Sequence, residues 1–264
     1  MERPEYKNWV PLGMVIGLFA AACAALTAFL LLGATGLLLH GAARVVCAIL
    51  FGAGAAVLLF YAVWMLILHK TFDYNGRRKL SKVIVEGTAA HVRLPDGGVG
   101  LDVGCGSGAL TIACAKRNPK ASFVGIDRWG KEYASFNKPL CENNAKAENV
   151  KNVSFRQGDA TKLNFADGTF DAVTSNYVYH NIPSGDRQAI LLETLRTLKK
   201  GGTFALHDLF SKSKYGDMLS FVKKLKSMGY EKVELIDTTS GRFMTPFEAK
   251  WMGLSGSALL VGRK

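Results

Sequence analysis

Two long uncharged runs occupy the first quarter of the chain. No Asp, Glu, Lys or Arg occurs from Val10 to Leu39, and none from Val45 to Leu68. A bilayer core takes roughly 20 apolar residues of helix, so each run predicts a membrane-spanning helix. Only His40-Gly41-Ala42-Ala43-Arg44 separates them. The pattern therefore predicts a helical hairpin over residues 1–69, with spans at 10–39 and 45–68, ahead of a second domain over 70–264. A cleaved export signal fits poorly. Its apolar core runs to roughly 7–15 residues, and the flank here mixes Glu2 and Glu5 with Arg3 and Lys7. Ala20-Ala21-Ala22-Cys23 lacks the upstream Leu of a lipoprotein site.

Beyond residue 70 the pattern alternates. Short apolar runs predict strands at Val99–Val103, Ser122–Ile126, Val153–Gln157, Phe170–Thr174, Thr203–His207, Lys232–Ile236 and Ala258–Gly262. Helices are expected over Ala109–Lys116, Lys131–Asn149, Gln188–Lys199 and Asp217–Met228, the third ending at Gly201-Gly202, with Thr71–Arg78 as a linker. Strands alternating with helices of this length specify an α/β fold. The expected form is a doubly wound, mostly parallel sheet with helices on both faces.

Composition sharpens this division. Hydrophobic residues make up 49% of the chain, and the excess lies in the two runs. The formal charge is +12, and residues 70–264 carry 30 basic against 19 acidic side chains. Lys70, Arg77, Arg78, Lys79 and Lys82 follow the second run, whereas the connecting loop offers only Arg44. The positive-inside rule then places both termini and the second domain in the cytoplasm. A basic domain beside a bilayer is drawn to anionic headgroups. Nucleic acid is the other reading of a basic surface, and two spans argue against it. Cys23 and Cys47 fall in the runs. Cys105, Cys114 and Cys141 are scattered, so no pair has zinc-like spacing, and no metal site is expected.

The candidate chemistry begins at Gly100-Leu101-Asp102-Val103-Gly104-Cys105-Gly106-Ser107-Gly108. A strand runs into a glycine-rich turn that opens a helix. Glycine serves where a ligand approaches backbone or where φ is positive, and the helix N-terminus adds amide donors. The spacing is GxGxG, not the GxGxxG of dinucleotide sites. Asp127 ends the next strand 19 residues beyond Gly108, where an acidic side chain binds ribose hydroxyls in Rossmann folds. Gly158-Asp159-Ala160 follows the third strand, and Phe170-Asp171-Ala172-Val173-Thr174-Ser175-Asn176 leads toward the same cleft.

With these segments in place, residues 99–210 resemble the class I S-adenosylmethionine-dependent methyltransferases. DVGCGSG is similar to their first motif, VGID to the ribose-binding strand end and GDAT to the adenine-binding turn. FDAVTSNYVYHNI followed by LLETLRTLKKGG resembles the branch that includes ubiquinone and menaquinone C-methyltransferases. The two N-terminal spans depart from that branch, and Phe243–Leu254 matches no substrate motif of it. The resemblance implies S-adenosylmethionine as cofactor. Asp102, Gly104 and Gly106 would line its methionine and sugar end, and Asp127 would hold both ribose hydroxyls. Trp129 would cover the adenine, which Asp159 and Ala160 would recognise, and Asn176 would sit beside the methionine portion. Apart from the resemblance, Asp159 also suits turn capping, and Trp129 suits core packing.

Methyl transfer from a sulfonium needs alignment, and a base only if the acceptor must lose a proton. His180 and Asp208 are the candidates, since both follow strands expected to point into the cleft. His207 should point away, because side chains alternate along a strand. Tyr74, just before the domain, suits a lid or an interfacial anchor. A nicotinamide oxidoreductase is disfavoured by the GxGxG spacing. A DNA amino-methylating enzyme is disfavoured by the absence of prolines in Ser175-Asn176-Tyr177-Val178. A membrane sensor that binds the cofactor without turnover stays open. Two further segments carry expectations. Gly13 and Gly17 form a GxxxG, and with Gly52, Gly54 and Ala56 they offer small faces for packing within the hairpin or on a second copy of the chain. Residues 239–255 combine Phe243, Met244, Phe247, Trp251, Met252 and Leu254 with Arg242 and Lys250. This is the composition of an element at a bilayer interface, able to admit a hydrophobic or lipid acceptor.

Overall fold

The computed structural model describes residues 3–35, 37–130 and 135–264. They form two compact units, Asn8–Ser81 and the stretch up to Lys7 together with Lys82–Lys264.

In the smaller unit, α1 (Leu12–Ala28) continues as a π-helical segment, Phe29–Ala34, and faces α2 (Gly41–Phe72). Both helices are long and apolar enough to cross a membrane. The second has 32 residues, so at 1.5 Å per residue it measures about 48 Å against a hydrocarbon core of about 30 Å. Two glycines bring the helices together. A Cβ on Gly33 would stand 2.5 Å from the Ala48 Cα, and one on Gly52 would stand 3.2 Å from the Phe29 ring. Arg44 closes the hairpin, donating from Nε to the Gly33 carbonyl at 2.7 Å and from Nη2 to the Ala34 carbonyl at 2.6 Å. It thereby satisfies acceptors left open at a helix end. Gly13 and Gly17 have open space around them, so Gly33 and Gly52, not the GxxxG, make the close contacts within the hairpin. The second helix also outruns the expected 45–68, and Ser81 Oγ donates back to the Phe72 carbonyl at 2.6 Å. The division between units thus lies at 81/82, beyond the expected 69/70.

The larger unit is a seven-stranded sheet: β1 (Val99–Val103), β2 (Ser122–Asp127), β3 (Val153–Gln157), β4 (Phe170–Asn176), β5 (Leu198–Leu209), β6 (Glu231–Asp237) and β7 (Ser257–Arg263). The order is β3-β2-β1-β4-β5-β7-β6. All neighbours are parallel except β7, which is antiparallel to both β5 and β6. The helices are α3 (Leu80–Ala89), α4 (Ala109–Arg117), α5 (Lys138–Ala147), α6 (Arg187–Arg196), α7 (Lys212–Tyr215), α8 (Met218–Ser227) and α9 (Pro246–Trp251). Strand alternation sends the two faces to different layers. Leu101 and Val103 enter the core formed with Leu191, Leu195, Phe221 and Leu225 of α6 and α8, whereas Asp102 between them turns toward α4. The sheet is therefore covered on both faces.

Three local expectations change. α6 ends at Arg196, and Leu198 already pairs with Phe170, so Gly201-Gly202 lies inside β5 and does not stop a helix. Lys131–Ala134 lie outside the described residues. The helix expected over 131–149 begins at Lys138, because Asn137 Oδ1 accepts from the Leu140 amide and Pro139 sits in the first turn. Helix α3 was missed, although Leu80, Ile84, Val85 and Ala89 mark its buried stripe. The chain reverses direction across the sheet between β1 and β4, and at such a switch point the carboxyl ends of the strands open a crevice.

Candidate active site

The turn from β1 into α4 is built on glycines with positive φ: 73° at Gly104, 54° at Gly106 and 82° at Gly108. A Cβ on Gly104 would stand 2.3 Å from Val178 Cγ2, whereas one on Gly106 would meet nothing nearer than the Phe136 ring at 3.8 Å. Gly104 thus lets a neighbouring loop pack down, and Gly106 keeps an open face. The amides of Gly104 and Cys105 donate to the Ile126 carbonyl at 2.8 and 2.9 Å, which fastens the turn to the end of β2.

Asp127 stands at that end. Its Oδ2 accepts from the Gly106 amide at 2.9 Å and its Oδ1 from the Trp129 amide at 2.8 Å. Each carboxylate oxygen can accept a second hydrogen bond, so the side chain retains capacity for two hydroxyls. Trp129 adopts φ 44° and donates from Nε1 to the Gly106 carbonyl at 3.1 Å, so the indole is pinned to the glycine turn. Asp159 is exposed. Its Oδ1 accepts from the Thr161 amide and hydroxyl at 2.8 and 2.7 Å, and those bonds hold its carboxyl below the usual range. Ala160 beside it is half-buried. Arg196 fixes the rest of that loop by donating to the Leu163 and Phe165 carbonyls at 2.6 and 2.7 Å.

Asp102 sits differently from the expectation. Its carboxyl is buried beneath the turn, accepting from Thr111 Oγ1 at 2.6 Å and Thr174 Oγ1 at 2.9 Å. It braces β1 against α4 and β4. Burial pushes it up to about 7 against the pull of both hydroxyls. The Cys105 and Cys141 thiols, 36 positions apart in sequence, meet under the same turn, and burial pushes the Cys105 thiol up. Cys141 Sγ lies 3.1 Å from the Gly106 carbonyl.

A second cluster forms where β4 and β5 end. Beyond Asn176 the chain turns at Tyr177, with φ 55°, into a single 3-10 turn, Tyr179–Asn181. Arg187 anchors this loop through the Tyr179, Ile182 and Ser184 carbonyls. Asp208 is fully buried and accepts from the Tyr179 amide at 2.8 Å and the Leu209 amide at 2.6 Å. Its Oδ1 lies 2.6 Å from His180 Nδ1. With Nδ1 donating to the carboxylate, His180 Nε2 is the free acceptor, the arrangement a general base requires. His207 faces the other way, as expected. It is buried, with Nδ1 2.8 Å from Asn176 Oδ1 and Nε2 3.1 Å from Thr238 Oγ1, and burial pushes it down to about 3.

The structure thus brings Asp127, Trp129, Gly104 and Gly106 together, and pairs His180 with Asp208. Val178 joins the two groups by packing on Gly104. Tyr177 was not singled out from the sequence. Its ring meets His180 and His207 edge-on at 5.9 and 4.6 Å, and its hydroxyl lies 2.6 Å from Ser257 Oγ. Its place in the NYVYHNI segment was the available signal.

Asp102 and His207 have opposite effects on stability. The folded Asp102 value, about 7, lies above the ordinary 3.8, so between these values only the native state holds the proton, and stability falls as pH rises. The folded His207 value, about 3, lies below the ordinary 6.5, so between these values only the unfolded state holds the proton, and stability rises with pH. Each contributes about 1.4 kcal/mol per pH unit, with opposite sign, and over the shared window they nearly cancel. Asp102→Asn is expected to make the protein lose stability steeply as pH drops below 6.5. His207→Gln is expected to make it lose stability as pH rises from about 4 to 7. Thermal melts in detergent at several pH values check this, and parallel profiles for wild type and both variants would refute it.

Comparison with known proteins decides the family. A methyltransferase-domain model matches residues 95–250. The chain belongs to that methyltransferase family. A demethylmenaquinone methyltransferase of Lactobacillus johnsonii is 34% identical over 116 residues, 42% of this chain and 43% of that protein. A ubiquinone/menaquinone biosynthesis C-methyltransferase of Desulfotalea psychrophila is 30% identical over 165 residues, 62% of this chain and 60% of that protein. The chain therefore matches less than two thirds of either relative's length. Among solved structures, the [4+2]-cyclase SpnF shares the fold, with a TM-score of 0.53 at 18% identity, covering 73% of this chain and 85% of that one.

The glycine turn of this methyltransferase-family chain suits S-adenosylmethionine. Gly106 keeps an open backbone face beside a carboxylate that can accept from two hydroxyls. When bound, S-adenosylmethionine supplies an activated methyl on a sulfonium. What remains to the methyltransferase is to bind, orient and exclude water.

Proposed function

We propose that this methyltransferase is anchored in a membrane by α1 and α2, with both termini cytoplasmic. In this reading it methylates a hydrophobic acceptor drawn from the lipid. The observation that carries the proposal is the outer face of α9. Phe247 is 75% exposed and Trp251 40%, and their rings stack at 6.3 Å with 9° between planes. Large exposed aromatics in one patch mark an interaction surface, and Lys250 and Arg242 flank them. The same segment reaches the strand ends. Phe243 is buried against the His207 ring at 5.4 Å, and a Cβ on Gly87 would collide with it at 2.2 Å. The segment that carries this surface thus also touches His207 of β5. Relatives named for ubiquinone and menaquinone methylation support an isoprenoid-type acceptor.

In this reading Asp127 holds the ribose hydroxyls, with Gly104 and Gly106 beneath the sugar and methionine. Trp129, Asp159 and Ala160 bound the adenine, and Asn176 faces the methionine end. His180 Nε2 takes a proton from the acceptor, and Asp208 keeps the imidazole oriented. The basic surface favours anionic headgroups. Trp251 fluorescence, with Trp9, Trp64 and Trp129 replaced, is expected to be quenched by lipids brominated on the acyl chain. Quenching by aqueous acrylamide alone would place the segment in water and end the lipid-entry proposal. Comparison of lipid extracts from cells with and without the gene, sought for species differing by one methyl, identifies the acceptor.

A further inference from the structure

A cavity of about 450 Å³ opens at the opposite end of the sheet from the glycine turn, lined by His91, Arg93, Gly201, Thr203, Lys232 and Arg263 among others. No carboxylate lines it. Among the described residues, neither Arg93 nor Lys232 forms an ion pair. Arg263 donates from Nε to the Gly201 carbonyl at 2.9 Å, which fixes the guanidinium at the cavity wall and leaves its Nη donors for a ligand. A Cβ on Gly201 would stand 3.3 Å from Arg263 Nη2, so a larger residue there would crowd the guanidinium. Lys232 holds φ 50°, in the left-handed region that few non-glycine residues adopt and that recurs at ligand sites. Burial holds His91 below its ordinary value, and Arg242 adds to this more strongly than Glu234 opposes it. Glu231 lies across from Arg263 in the strand register and forms no ion pair with it among the described residues.

One more observation points to a ligand. The Thr203 hydroxyl is buried in the cavity wall with no hydrogen-bond partner among the described residues. Leaving a buried hydroxyl unpaired is costly, and an anion accepting from it, once a rotation about its side chain turns it to the cavity, would remove that cost. Two guanidiniums, an ammonium and the Thr203 hydroxyl line one cavity, and no carboxylate is among its lining side chains.

From this donor set we propose that the cavity binds the phosphate of an organic phosphate or diphosphate. It is not the methyl-transfer site. Thr203 and Asp208 lie five residues apart on β5, about 17 Å at 3.3 Å per residue. The ligand therefore approaches the sheet from the pole opposite the cofactor turn. Two sources share this chemistry, an anionic lipid headgroup and a soluble phosphate.

The test uses the full chain in nanodiscs of phosphatidylcholine, titrated with inorganic pyrophosphate by calorimetry. Wild type is expected to bind, and Arg93→Gln with Lys232→Gln to weaken binding at least tenfold. Lys223→Gln with Lys226→Gln, an equal charge loss on the exposed side of α8, is expected to leave it unchanged. Lys232→Gln alone, at an exposed position, serves if the double variant does not fold, with at least a threefold loss expected. Repetition in nanodiscs containing phosphatidic acid separates the sources. Weaker apparent pyrophosphate binding there assigns the cavity to the headgroup, and unchanged binding assigns it to a soluble phosphate. No heat with wild type, or equal loss in the α8 variant, would overturn the proposal.

Discussion

Replacing Asp127 with Ala is expected to weaken S-adenosylhomocysteine binding at least tenfold, and more if the turn relaxes. The carboxylate has two duties. It holds the Gly106 and Trp129 amides at 2.9 and 2.8 Å, and in the proposed site it accepts from both ribose hydroxyls. Hydrogen bonds to a charged group contribute about 1.5–3 kcal/mol each, so losing even one corresponds to about a tenfold change. Asp127→Asn keeps one acceptor oxygen and should fall between wild type and Ala. Calorimetry on the three proteins decides it. Unchanged affinity in Asp127→Ala would remove Asp127 from the cofactor site.

His180→Ala is expected to retain cofactor binding and lose turnover by about a hundredfold or more, the usual contribution of a positioned base. Asp208→Asn removes the oriented carboxylate while His180 remains. It should therefore lower kcat more than it changes cofactor affinity. Normal turnover in His180→Ala would leave the pair with a structural role. Loss of cofactor binding together with activity would show that the loop, held through Val178 on Gly104, had moved.

Much of this was legible before the fold was known. The strand-end carboxylate, the glycine turn and the placing of His180 and Asp208 after two strands all follow from where apolar runs stop, whereas the bond between those two side chains came only with the fold. Asp102 was read less well. The motif spelled it beside Gly104, but the period of two along β1 turned its side chain to Thr111 and Thr174. The end of α6 was misplaced for a related reason. Leu198 continues the helical apolar stripe, and only its pairing with Phe170 shows it to be the first residue of a strand. Contacts between distant positions left no local trace at all. Cys105 meets Cys141, and Tyr177 meets Ser257, with nothing in either neighbourhood to announce it. The basic cavity draws on residues from His91 to Arg263, and net charge alone gave no hint of where those cations gather.

The placement of β7 has a consequence for the order in which the molecule can be made. β6 has a single hydrogen-bonded neighbour in the sheet, β7, which lies between it and β5. As the chain emerges from the ribosome, Glu231–Asp237 is complete before its partner exists, and the far side of β5 is bare for the same interval. Two open edges face outward until Ser257–Arg263 inserts between them and pairs in both directions at once. Unpaired edges invite association between chains, and pairings that wait on distant sequence form slowly. A nascent chain stalled just short of residue 257 should therefore aggregate more readily than one stalled after β5, although it carries more of the finished protein.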